Sequence, residues 1–133
     1  MEWYENIFPS IMTRLKVESK KALGSTFTDL EVTDEIVTPT NPSFPTILAV
    51  ELPNAEQGND LVNVDIVALM YGVQIEVTDN KKQANTKRVM NEVIKIMKSM
   101  GFSVLSMPEI TYTNNVYRSV ARFRRIIANG DNL

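Results

Sequence analysis

The chain has 133 residues, 44% of them hydrophobic, a size that suits one globular domain with a modest core. It contains neither cysteine nor histidine, which excludes disulfides, thiolate and imidazole metal sites, and Ser-His or Cys-His nucleophile pairs. The formal charge of −2 conceals a division: residues 1–80 hold 4 Lys/Arg against 13 Asp/Glu, and residues 81–133 hold 10 against 3.

The chain opens Met1-Glu2-Trp3-Tyr4-Glu5, acidic where a signal peptide would be basic, and no stretch approaches the ~20 apolar residues of a membrane span. The expectation is a soluble protein made in the cytoplasm. Trp3, Ile7, Ile11 and Leu15 recur at three- to four-residue spacing, with Phe8 and Met12 widening the stripe and Arg14, Lys16, Lys20 and Lys21 opposite. This predicts an N-terminal helix within 1–24, starting between Tyr4 and Pro9 and ending near Leu23. Gly24 is expected to be a left-handed cap.

Residues 26–78 read as strands and loops. A short strand falls between Thr26 and Val37, with Phe27, Leu30 and Val32 inward. Asp29, Glu31, Asp34 and Glu35 nearby suit a solvated edge or loop better than paired catalytic carboxylates. Pro39, Pro42 and Pro45 make 38–45 an extended connector. Thr46 to Leu52 is a strand buried through Leu48, Val50 and Leu52. A polar loop, 54–60, leads to the apolar run Leu61 to Tyr71, and Val73, Ile75 and Val77 alternate with Gln74 and Glu76 as a strand with one wet face. Residues 61–77 can form one strand bent near Gly72.

A second helix is expected over 80–101, with Val89, Val93, Ile96, Met97 and Met100 on its core face. Thr78, Asp79 or Asn80 caps its start and Gly101 its end. Strands follow over 102–127: Phe102 to Leu105, a break at Pro108, Glu109 to Thr113, a tight turn at Asn114-Asn115, and Val116 to Ile127. Residues 128–133 are read as a flexible tail. The fold class is α+β: a single domain whose antiparallel or mixed sheet of about four to five strands carries two helices on one face.

The last strand holds the one constellation that spacing reveals. Alternation puts Arg118, Arg122 and Arg124 on one face, with Arg125 opposite or at the strand's end, while Tyr117, Ala121, Phe123 and Ile127 face the core. The stripe is a candidate lumen or partner contact, or a solvated outer face. Aromatics pointing away from it, and a pI near 5.2, argue against sequence-specific nucleic-acid reading. Gln57, Asp60, Val67, Leu69, Met70 and Tyr71 are either an arm reaching a neighbouring subunit or part of a central strand of the domain's own sheet. Unlike charges on the two parts of the chain suit copies meeting head to tail. No calcium loop, glycine-rich phosphate loop or Gly-x-Ser-x-Gly elbow is present, so no catalytic, cofactor-binding or metal residue is assigned.

Phe44-Pro45-Thr46-Ile47, then Asp60-Leu61-Val62-Asn63, then Tyr71-Gly72-Val73-Gln74-Ile75-Glu76-Val77-Thr78-Asp79-Asn80-Lys81 occur in that order. A helix closing Met100-Gly101-Phe102 follows, and then Asn115-Val116-Tyr117-Arg118-Ser119-Val120-Ala121-Arg122-Phe123-Arg124-Arg125-Ile126-Ile127. In order and spacing, over roughly 44–130, this resembles the tail terminator (tail completion) proteins of long-tailed bacteriophages. The resemblance implies a virion protein without an active site or cofactor, assembled in the host cytoplasm and located in the tail and neck. It implies a six-membered ring that ends tail-tube polymerisation, meets the tail tube protein and a head-completion or stopper protein, and lets DNA pass without sequence-specific binding or any membrane contact. Another neck, head-closure or baseplate adaptor is the alternative, followed by a small nucleic-acid-binding module.

Overall fold

The computed structural model describes residues 3–35, 43–53, 55–57 and 68–133. In chain order the elements are a 3-10 turn (Trp3–Asn6), α1 (Ile7–Leu23), β1 (Glu31–Thr33), β2 (Thr46–Glu51), β3 (Ala55–Gln57), β4 (Ala68–Asp79), α2 (Gln83–Ser99), β5 (Ser103–Thr113) and β6 (Val116–Ala128). The sheet runs β1-β2-β4-β6-β5, with β3 also paired to β4. β1 lies parallel to β2, and all other pairings are antiparallel. The architecture is α+β, one mixed sheet under two helices; the three-residue strands β1 and β3 raise the strand number to six.

Helix α1 begins after the 3-10 turn, so Pro9 sits in the first turn, where a missing N–H costs nothing. Gly24 differs from expectation: its φ is −63°, in the right-handed region, and its N–H continues the helical pattern to the Lys20 carbonyl at 2.9 Å. The glycine is needed for space instead, because a Cβ there would collide with that carbonyl. Helix α2 starts at Gln83 with Lys82 at its N-cap position and no side-chain cap, so the cap expected from Thr78, Asp79 or Asn80 does not form; Asp79 instead orders the turn that leads into the helix. The Asp79 carboxylate, 1% exposed, accepts hydrogen bonds from the Lys81 and Lys82 N–H groups at 3.1 and 2.9 Å and from the Asn85 amide at 3.2 Å. Gly101, with φ 84°, ends α2 as expected.

Strand alternation decides which face is buried. On β4, Leu69, Tyr71, Val73, Ile75 and Val77 face the helices, joined by Ala121, Phe123 and Ile127 of β6. Ile11 and Leu15 of α1 and Val89, Met90, Val93 and Met97 of α2 close over them. Each such side chain removed from water contributes about 1.5–3 kcal/mol. On β2 the expectation was one residue out of phase: Ile47 and Ala49 are buried, whereas Leu48 and Val50 are half-buried on the opposite face. Apolar residues on both faces of β2 left its phase open, and antiparallel pairing with β4, Ile47 opposite Val77 and Ala49 opposite Ile75, selects the core set.

Two further differences concern continuity. Strand β4 passes through Gly72 without interruption, and Gly72 accommodates Leu52, whose Cβ would lie 3.3 Å from an added Cβ. Strand β5 also runs through Pro108 instead of breaking there. It can do so because it is an edge strand, and its register shifts between Val104 and Ser106 and between Ser106 and Glu109 absorb the irregularity. The hairpin forms as expected, with Asn114 and Asn115 at φ 53° and 63°.

The C-terminal residues, expected as a flexible tail, make hydrogen bonds to the body of the domain. The Arg14 guanidinium donates to the Leu133 carbonyl at 3.0 Å, and Arg125 donates to the Asn132 carbonyl at 3.2 Å. The Asp131 carboxylate accepts the Ala128 N–H at 2.9 Å. Among the described residues no helix is long and apolar enough to cross a membrane.

Candidate functional site

No described helix packs on the second face of the sheet, and the arginines lie there. On β6, Arg118, Arg122 and Arg124 are exposed at alternate positions, flanked by Val120 and by Ile126, which is 56% exposed. Cross-strand register supplies their neighbours. Arg118 ion-pairs with Glu76 of β4, Arg122 donates from Nε to Gln74 Oε1 at 3.0 Å, and Arg124 reaches the Met70 sulfur at 3.6 Å. Glu76 therefore neutralises one end of the stripe, and Arg122 and Arg124 keep their charge facing outward without a carboxylate partner among the described residues.

Arg125 lies on the other face. Its guanidinium donates to the Met100 carbonyl at 2.6 Å and sits 3.8 Å from Asp131, so it ties the end of α2 and the C-terminal residues to β6. The structure thus brings three of the four candidate arginines together and separates the fourth by strand alternation.

The candidate arm residues are also divided. Leu69 and Tyr71 are buried beneath the helices and Met70 is half-buried on the open face, so 68–71 belong to a central strand of the domain's own sheet. Gln57 pairs with Ala68 as part of β3. Asp60 and Val67 lie outside the described residues. Tyr71 also donates its phenolic proton to Glu51 at the end of β2. Burial, that hydrogen bond and the carboxylate's charge all push the phenol far above its ordinary pKa.

Part of the charge division is kept across the sheet, although Arg88 of α2 reaches Thr26 and Phe27 just before β1 and Glu76 lies among the arginines. Asp29, Glu31, Asp34 and Glu35 are all exposed at the β1 edge. The arginine strand β6 lies three positions away in the sheet, roughly 14 Å at ordinary strand spacing, and next to the opposite edge. Two features of this site escape sequence reading. The pairing of Arg118 with Glu76 and of Arg122 with Gln74 depends on long-range register, for which the sequence holds no local signal. The two-residue Asn114-Asn115 turn, by contrast, already sets which β5 residues bond inward and which point outward.

Among the described residues no cluster of acidic side chains could hold a metal ion. The surface grooves are open, one lying between α1 and residues 127–133 and another between α1 and α2. No protein-family model and no curated protein matches this chain.

Proposed function

We propose that this chain is a ring-forming structural subunit that caps the tail tube of a long-tailed phage and joins it to the head-completion proteins. The observation that carries the reading is the polarised sheet. One edge presents four exposed carboxylates, the opposite side presents Arg122 and Arg124 on a face no described helix covers, and each surface is complementary to the other on a second copy. Copies related this way make heterologous contacts, which close into a ring when the rotation allows. The resemblance in order and spacing over 44–130 supports a position for that ring at the tube end.

The test is co-assembly with a tail-tube protein from the same phage. Substoichiometric amounts of this chain are expected to stop tube elongation and to be found at tube ends by electron microscopy. Tubes that grow to the same length with and without it would contradict the reading. A head-closure role would instead give binding to portal-side proteins and none to tubes.

A further inference from the structure

Strand β5 ends the sheet on the side opposite β1, and among the described residues no strand pairs with its outer edge. Its hairpin geometry shows which backbone groups that edge offers. The two-residue turn makes Thr113 and Val116 the hydrogen-bonded pair that closes it, so in the regular register Thr113, Thr111 and Glu109 bond to β6. The intervening residues Tyr112 and Ile110 direct their N–H and C=O groups away from the sheet. Pro108 falls in the same outward phase and has no N–H to offer.

The edge is therefore defended along one part of its length and open along another. Pro108 and the two register shifts blunt the first part, as edge strands commonly require. Glu109 to Thr113 is regular and holds only one charge, and Tyr112 is 57% exposed against Tyr117. Beside this segment runs a groove of about 330 Å³, lined from α2 by Gln83, Lys87, Met90 and Asn91 and from the strand by Pro108 and Ile110. A strand added to β5 would turn alternate side chains into that groove, the arrangement by which strand addition acquires specificity.

We infer that the β5 edge, Glu109–Thr113, receives the β1 edge of a second copy, extending the sheet from one subunit into the next; the inference rests on the ring reading above. The occupant follows from charge and topology. β1 is the far end of the same sheet, and the Glu31 N–H donates to the Pro45 carbonyl at 3.1 Å, which leaves the Val32 N–H and C=O directed outward. Exposed Asp29, Glu31, Asp34 and Glu35 surround that edge, whereas the receiving one carries the single acid Glu109 and has Lys87 in the groove beside it. Pairing β5 with β5 would use one end of each sheet and stop at a dimer. Pairing β5 with β1 uses both ends and propagates head to tail.

The experiment is backbone hydrogen exchange on the full chain, dilute and assembled. In the monomer the Ile110 and Tyr112 amides are expected to exchange freely and Thr111 to be protected. Assembly is expected to slow Ile110 and Tyr112 by about tenfold or more. Because the chain lacks cysteine, Thr111→Cys and Glu31→Cys can be mixed as a second test, and oxidation is expected to give disulfide dimers from the mixture. A closed oligomer in which both amides stay unprotected overturns the edge pairing and leaves the ring standing. Protected amides in an assembly that fails to stop tube growth would leave the pairing and remove the tail function. Disulfide dimers from Thr111→Cys alone, or a monomer at every concentration, overturn the pairing.

Discussion

Arg125 on β6 donates a 2.6 Å hydrogen bond to the carbonyl of Met100, the residue that follows the last turn of α2. The bond ties the C-terminal end of α2 to the sheet, and Met100 itself is buried. Arg125→Ala leaves that carbonyl without its charged donor and is expected to cost about 1–3 kcal/mol in urea unfolding. Arg122→Ala, exposed on the other face, is expected to fall within about 0.5 kcal/mol of the parent.

Gly101 lies directly beneath the same guanidinium. Its φ of 84° disfavours any side chain, and an added Cβ would lie 3.1 Å from Arg125 Nε. Gly101→Ala is expected to destabilise by about 1 kcal/mol from backbone strain alone. In the Arg125→Ala background the steric part disappears, so the double variant should be less destabilised than the sum of the two changes.

Thr86 tests the helix layer. Its hydroxyl is fully buried in α2 and has no hydrogen-bond partner among the described residues. Thr86→Val keeps the shape and removes the unsatisfied group, and is expected to stabilise the fold by about 1 kcal/mol. A loss of stability would show that the hydroxyl is bonded in solution.

The Tyr71 phenol gives a pH dependence. Its pKa is raised in the folded protein by burial, by its hydrogen bond to Glu51 and by that carboxylate's charge, while the unfolded chain ionises near 10. Below about pH 10 the phenol is neutral in both states and its contribution is fully present. As the pH rises further the unfolded state loses its proton first, so stability falls. Tyr71→Phe is expected to flatten this alkaline decline in denaturant midpoints measured from pH 8 to 11. An unchanged slope would remove Tyr71 as its source.

The divided surface makes a separate claim. Glu31→Lys combined with Asp34→Lys is expected to weaken self-association at low salt, with little change in monomer melting, since both residues are exposed. The reciprocal pair Arg122→Glu with Arg124→Glu is expected to do the same. Equal association by all three proteins would show that these charges take no part.

Much of this fold was legible because periodicity is a local property. The two helices, the faces of β6 and the Asn114-Asn115 turn follow from spacing and from residues that tolerate positive φ. The phase of β2 was not legible, since apolar residues occupy both of its faces and only pairing with β4 chooses between them. Pro108 reads as a break in any isolated strand, and becomes tolerable only once the strand is known to be an edge. At the site, alternation put Arg118, Arg122 and Arg124 together. The Glu76 partner and the tie from Arg125 to Met100 join residues 42 and 25 positions apart, contacts that the sheet register and the return of β6 beneath α2 create.

Copies of this chain are proposed to meet head to tail and close into a ring. Light scattering on the purified protein, across a concentration series at low and high salt, tests it most directly. A closed oligomer, six times the 15.0 kDa chain, that dissociates as salt screens the unlike charges is the expected result. A particle of 15.0 kDa at every concentration and salt would contradict it.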